Sequence, residues 1–385
     1  MSDPVVIVAS ARTPLGRLNG TLAAYTGPQL GAAAITAAMT RGGVPKDAVS
    51  EVFMGCVLPA GTGQAPARQA ARGAGLPDGA GATTVNKVCG SGMKAIMLGH
   101  DAIMAGSSDV VVAGGMESMS NAPYLLKKAR AGYRIGHDRM FDHLMLDGLE
   151  DAYEQGRPMG DFGETVAAMY QFTRDQQDAY AIETLTRARA AITNGDFKAE
   201  ITPMGAVSDD EHAMKVLPEK IPGLKPAFRA DGTITAASAS TNADGAAALV
   251  LMRQSQAKAL GLTPLARIAG HASHAQEPAL YATAPIGAMR KLMTKTGWSI
   301  SDVDLFEINE AFALVAMAAA KDLGIARDRL NVAGGACALG HPIGASGARI
   351  VVTLLHALQR SGGKRGVASL CIGGGEATAL AIEVA

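Results

Sequence analysis

The chain has no excess of either charge: across 385 residues, 35 Lys and Arg balance 35 Asp and Glu. Without a global basic field, nucleic acid and acidic membrane surfaces are not expected partners. It also lacks any apolar run of the roughly 20 residues needed to cross a bilayer. The opening Met-Ser-Asp-Pro runs straight into the apolar Val5 to Val8 with no basic region before it. No presequence and no C-terminal address signal are recognised, so cytoplasmic residence is expected. Cysteine is scarce. Cys56, Cys89, Cys337 and Cys371 form no CxxC pair and have no histidines at zinc-finger spacing, which argues against a disulfide framework and for free thiols. His271 and His274 lie close together but lack a carboxylate or third ligand at suitable spacing, so no metal site is expected. Gly114-Gly115 and Gly373 to Gly375 do not complete a GxGxxG, which leaves no dinucleotide fingerprint.

What is present is a core-rich composition, 48 % apolar and 18 % charged, in a chain long enough for one duplicated architecture with an insertion. A faint internal duplication organises it. Val5 to Ser10 has a counterpart in Ala266 to Gly270. The helical stretch from Pro28, leading to Asp47 and the strand at Val52-Phe53-Met54, is matched by one from Pro285, leading to Asp302 and Leu305 to Ile308. Ser91-Gly92-Met93 and Ser346-Gly347-Ala348 each open a helix, followed by an apolar strand and a glycine cluster at Val110 to Gly115 and Val367 to Gly375. Ile350, Leu354 and Leu358 recur every fourth residue, with Val351 and Leu355 beside them, and Met93, Ile96, Met97, His100 and Ile103 trace a similar stripe. Each half thus reads strand, helix, strand, helix, strand, a pattern that favours layered α/β packing. Between the halves, roughly Ser118 to Asn242 is less strand-like. It holds one clear helix, with Thr173 and Gln176 spaced as a capping box and Asn194-Gly195 as its stop. The expected division is 1–117 as an N-terminal half continued by about 243–264, 118–242 as an inserted loop domain over the core, and 265–385 as a C-terminal half.

Four positions carry chemical potential, each with an ordinary structural reading beside it. Cys89 falls between a strand-like run and a helix start, where unpaired helix N–H groups favour a thiolate; a small core cysteine at a tight turn explains it equally well. His341 sits in the glycine-dense loop Gly334 to Gly344, an environment that suits an imidazole activating a thiol better than one filling a core. Cys371 ends the last strong strand before Ile372-Gly373-Gly374-Gly375, where a side chain points into either a cleft or the core. Asn309, after a strand, ordinarily caps the following helix, but an Asn there also suits holding a water or donating to an oxyanion. Cys56 and Cys337, in apolar surroundings, read as packing residues.

Taken together, five stretches resemble the thiolase family from end to end: the Cys89 segment, Val112 to Ser120, Asn309 to Ala313, Gly340-His341-Pro342 to Gly347, and Cys371 to Gly375. The resemblance implies a thiolase-like duplicated five-layered α-β-α-β-α core with an inserted loop domain. It implies Cys89 as the acylated nucleophile, His341 as its proton acceptor and holder of a thioester oxygen, and Cys371 as the acid/base at the α-carbon of the second acyl-CoA. Asn309 would position a water that completes the first oxyanion site with His341, and the backbone N–H groups of Cys89 and Gly373 would form the second. The stretch Tyr133 to Gly136 through Met145 to Leu149 is similar to the tetrameric, acetoacetyl-CoA-forming branch, and by analogy Leu149, Met159, Phe228, Ala239 and Ser240 would line a coenzyme A channel. Coenzyme A is then substrate and product, no separate cofactor is implied, and a homotetramer is expected, with a dimer as the alternative within the family.

Two departures bear on chain length. Pro158-Met159-Gly160 stands where that branch usually has His-Met-Gly, and Tyr281 stands where it usually has a methionine. They keep open a 3-ketoacyl-CoA thiolase of longer chains. The decarboxylating ketoacyl synthases share the fold but need no second catalytic cysteine, which Cys371 speaks against. A non-catalytic acyl-CoA or lipid binder on the same scaffold would be expected to lose Cys89 or His341, and both are present.

Overall fold

Residues 3–384 are described by the structure, a computed structural model; the first two residues and the last one of the expected halves lie outside the described residues. In chain order the main elements are β1 (Val5–Arg12), α1 (Gly27–Gly42), β2 (Glu51–Gly55), α2 (Pro66–Gly73), β3 (Gly81–Val85), α3 (Ser91–Ala105) and β4 (Val110–Ser118). Then come α4 (Met159–Tyr170), α5 (Arg174–Asn194), β5 (Ala243–Arg253), β6 (Ala266–Ala275), α6 (Ala284–Thr296), β7 (Leu305–Ile308), α7 (Ala313–Leu323), α8 (Ser346–Ser361), β8 (Arg365–Ile372) and β9 (Glu376–Val384).

The strands repeat one pattern twice. The first half is ordered β3-β2-β4-β5-β1, with β2 parallel to β3 and β4 and the remaining neighbours antiparallel. The second is ordered β7-β8-β9-β6, with β7 parallel to β8 and the rest antiparallel. A single parallel bridge, Phe306 to Leu330, stands where the counterpart of β3 would lie. The halves join edge to edge through β1 and β6, pairing Val6 with Arg267 and Ile7 with Ala266.

Strand residues are apolar on both faces because helices cover both faces. In β1, Val5 and Ile7 face a central layer that holds Met93, Ile96 and Met97 of α3 and Ile350, Leu354 and Leu358 of α8. Val6 and Val8 face outward, against Leu30, Ala34 and Ile35 of α1. On the far side, Phe306, Val367 and Ala379 pack under Met289 and Leu292 of α6 and Leu314 and Val315 of α7. The layers are therefore α1/α2, sheet, α3/α8, sheet, α6/α7, the five-layered arrangement the resemblance implied. The capping box at Thr173 and Gln176 is formed, and α5 stops at Gly195 in the left-handed conformation. The buried Arg12 on β1 is bidentate to Asp210 at 2.7 and 2.8 Å and bonds Glu200 at 2.5 Å, which ties the segment between β4 and β5 to the core. Among the described residues no helix is long and apolar enough to cross a membrane.

One contact sets the position of the site. The central helices meet at their N-terminal turns through glycine: a Cβ on Gly347 would lie 2.4 Å from the Met93 nitrogen, and one on Gly92 would lie 2.8 Å from the Ala348 nitrogen. Side chains there would push the helix starts apart. Cys89 lies just before α3 and His341 just before α8, so the same approach brings two distant loops together.

Candidate active site

Cys89 sits in a turn built to hold it. The Asn86 side chain accepts from the Val88 N–H at 2.9 Å, while Ser91 Oγ accepts from the Lys87 N–H at 2.8 Å and donates to the Val88 carbonyl at 2.6 Å. These bonds hold Val88 at φ 45°, left-handed backbone that a β-branched residue enters only under strain, a cost of about 1–3 kcal/mol. The strain presents the next side chain to a cavity instead of the core. Lys87 also pairs with Glu376, which ties this turn to the β8–β9 hairpin. That hairpin turns through Gly373, Gly374 and Gly375; the last two have φ 89° and 84°, a conformation open to glycine.

His341 comes from the other central helix. Its N–H donates to the Thr241 carbonyl at 2.8 Å, and Gly340 before it has φ 113°. Its Nδ1 lies 2.5 Å from Ser346 Oγ, and that hydroxyl donates to the Pro342 carbonyl at 3.0 Å. With the hydroxyl proton committed there, Ser346 accepts from Nδ1–H. In that tautomer Nε2, buried without a partner, keeps its lone pair. The loop before His341 is anchored by the buried Glu310, which accepts from Tyr180, Thr184, Asn331 and the Cys337 N–H at 2.8 to 3.2 Å. The loop after it is held by Glu117, which accepts from the N–H groups of Val57, Leu58 and Gly344 at 2.9 to 3.1 Å. Burial raises the Glu117 carboxyl to about 7 despite these donors.

One cavity of about 280 Å³ gathers Cys89, His341, Cys371 and Gly373 with Leu149, Met159, Phe228, Ala239 and Ser240. Asn309 is not on its wall. It is 1 % exposed, and neither its side-chain oxygen nor its nitrogen has a partner. It does not cap the next helix either: α7 starts four residues later, after Phe312, with no side-chain cap. Cys56 and Cys337 lie outside the cavity, each against a buried glutamate, Glu117 and Glu310. Sequence reasoning gave no site role to Ser346 or to the strained Val88, whereas Tyr281, noted there as a departure bearing on chain length, does line the cavity. Only the spacing of Ser346 from His341, five residues on at a helix start, hinted at such a bond.

The helix-terminus argument for a resting Cys89 thiolate does not hold. Burial outweighs the favourable N–H groups of Gly373 and Cys89 itself and raises the thiol to about 11. Burial also raises Cys371 well above the ordinary thiol range, and a charge on Cys89 raises it further. Burial, then the charge of Arg349, lowers His341 to about 3. The resting site is therefore two neutral thiols and a neutral imidazole. A raised thiol pKa means that the thiolate grows with pH until the pKa is passed, so at pH 8 it is roughly one part in a thousand. Iodoacetamide alkylation of Cys89, followed by peptide mass spectrometry, should keep accelerating up to about pH 11. A plateau near pH 7 would show a preformed thiolate and contradict this electrostatic account.

The family description "Thiolase, N-terminal domain" matches residues 5–255, and "Thiolase, C-terminal domain" matches residues 262–384. The chain is 49 % identical over 393 residues to an acetyl-CoA acetyltransferase of Cupriavidus necator, covering 100 % of both chains. It is 48 % identical over 388 residues to one of Pseudomonas aeruginosa, covering 98 % of each. Among solved structures, a thiolase from Ascaris suum in complex with coenzyme A superposes with a TM-score of 0.96 at 42 % identity, over 99 % of this chain and 100 % of that one.

Proposed function

The chain belongs to the thiolase family, and from that membership we propose that it is an acetyl-CoA C-acetyltransferase, joining two acetyl-CoA into acetoacetyl-CoA and coenzyme A, reversibly, through an acetyl-Cys89 intermediate. The observation that carries the reading is the convergence of Cys89, Cys371 and a His341 with a free Nε2 lone pair on one largely apolar cavity.

The proposed sequence balances in protons and charge. Cys89 Sγ attacks the thioester carbonyl of the first acetyl-CoA as His341 Nε2 takes its proton. Coenzyme A leaves with the proton of Cys371, so the acetyl-enzyme holds an imidazolium and a Cys371 thiolate that offset each other. The acylated Cys89 can no longer carry charge, which removes one of the influences that raised Cys371. The base therefore becomes available only after the electrophile is in place. The Cys371 thiolate takes the α-proton of the second acetyl-CoA, and the enolate attacks the acetyl group and expels Cys89, which regains its proton from His341. Covalent capture makes the carbon–carbon step effectively intramolecular. Oxyanion donors add about 3–4 kcal/mol each. The N–H groups of Cys89 and Gly373 would serve one oxyanion. His341 and a water on Asn309 would serve the other, a role suited to a buried amide whose oxygen and nitrogen are both unpartnered.

In this reading coenzyme A is substrate and product, no further cofactor takes part, and the enzyme works as a cytoplasmic homotetramer. The short acyl range rests on Tyr281, whose buried ring lines the cavity and whose hydroxyl donates to the Met159 carbonyl at 3.0 Å. That bond fixes aromatic bulk beside Met159, Phe228 and Phe312 where a longer chain would extend. Thiolysis of 3-ketoacyl-CoAs of increasing length should therefore be fastest with acetoacetyl-CoA and fall roughly tenfold or more per added two-carbon unit. A preference for longer chains would replace this reading with that of a degradative 3-ketoacyl-CoA thiolase.

A further inference from the structure

Away from the cavity, three side chains of metal-ligating type converge across the boundary between the halves. His100 and Asp101 lie near the end of α3, and His271 lies on β6, 170 residues beyond Asp101 in sequence. His271 Nε2 is 3.2 Å from His100 Nδ1 and 2.9 Å from Asp101 Oδ1, and His100 Nδ1 is 3.1 Å from the same oxygen. The atoms make a nearly equilateral triangle. The two rings stand at 84° to each other with centroids 4.9 Å apart, so they meet through in-plane nitrogens and not through stacked faces.

Hydrogen bonds alone satisfy this triangle poorly. Each facing ring nitrogen carries one proton or one lone pair. Two protonated nitrogens would both have to donate to one Asp101 oxygen while facing each other at 3.2 Å. A cation at the centre takes a lone pair from all three. Tetrahedral zinc-type coordination, with bonds of about 2.0–2.1 Å, sets donor atoms roughly 3.3 Å apart, within a few tenths of an ångström of the observed separations. We propose that His100, Asp101 and His271 form a binding site for one divalent transition-metal ion of the zinc type.

The donor set fits that class. Two imidazoles and one carboxylate favour zinc, cobalt, nickel or copper over magnesium and calcium. Lys295 donates to the His271 carbonyl at 3.2 Å and fixes the strand that presents the ring. The Asp101 side chain is 53 % exposed, which leaves a solvent side for a fourth ligand. None of the three residues lines the cavity. The ion would act as a staple between the helix that follows Cys89 and the sheet of the other half. Reading outward from His271 along the sequence finds no such partners, because they lie in the other copy of the duplicated unit.

The test is a Co²⁺ titration of the full chain after chelator treatment. The expected result is saturation at one ion per chain, with visible ligand-field bands and without the near-ultraviolet charge-transfer band of a thiolate ligand. Bound Co²⁺ should also raise the melting temperature. His271→Gln should weaken binding at least about 100-fold, with thiolysis unchanged in chelator. Because His271 is nearly buried, the more open His100→Gln is measured alongside and must also lose affinity. Affinity retained in both variants, a thiolate band from Cys89 or Cys371, or no saturation below millimolar Co²⁺ would each overturn the site.

Discussion

Cys371→Ala should yield a protein that accepts one acetyl group and then stops. Incubated with acetyl-CoA, it is expected to gain a single acetyl mass on the Cys89 peptide and to release one equivalent of coenzyme A. Acetoacetyl-CoA formation should fall by about 10⁴-fold or more, the scale seen when a residue that acts directly in proton transfer is removed. In the proposed mechanism the two sulfurs divide the labour. Cys89 needs only His341 Nε2 to lose its proton, but the α-carbon of the second substrate needs a base of its own. His341 Nε2 is then already protonated. The first acylation should also slow, since coenzyme A no longer leaves with the Cys371 proton. Cys371 is 1 % exposed in a packed layer, and alanine there removes only a sulfur, so the fold should persist. Intact mass and steady-state rates decide the matter together: turnover near that of the wild type would remove Cys371 from the mechanism.

Cys89→Ala should remove acyl transfer at its first step. No acetyl adduct is expected at any cysteine, and both condensation and thiolysis should fall by about 10⁴-fold or more. The cavity, its apolar walls and the His341–Ser346 bond do not depend on the sulfur, so coenzyme A should still bind with an affinity close to that of the wild type. The contrast between the two variants is informative. One traps the intermediate and the other never forms it, which separates a two-thiol relay from a scheme in which either sulfur acts alone. An acetyl adduct on Cys371 in the Cys89→Ala protein would reverse the assignment of nucleophile and base.

Much of this site is legible in the order of residues. Cys89, His341 and Cys371 stand in glycine-rich turns at the ends of strands and starts of helices, where a side chain can leave the core. The repeated Ser-Gly pairs at 91–92 and 346–347 mark helix starts that the fold brings into contact through the glycines. Other features are not legible because they depend on burial and on partners from elsewhere in the chain. The state of Cys89 is one: helix N–H groups argue for a thiolate, and the surrounding low-dielectric packing argues more strongly for a thiol. Asn309 is another, since its place before a helix suggests a cap, whereas the helix starts too late to use it.

By itself the sequence determined the layered α/β class and the duplication and singled out the candidate side chains, because periodicity, turn chemistry and residue type are local properties. Only the tertiary structure decided how those groups behave. The partner of His341 Nδ1 is Ser346, and the protonation of both thiols follows from the cost of charge in a largely apolar cavity. The meeting of His271 with His100 and Asp101 follows from the joining of two halves. Each depends on which atoms surround a group in space, and the order of residues along a chain does not state that until the layers have packed.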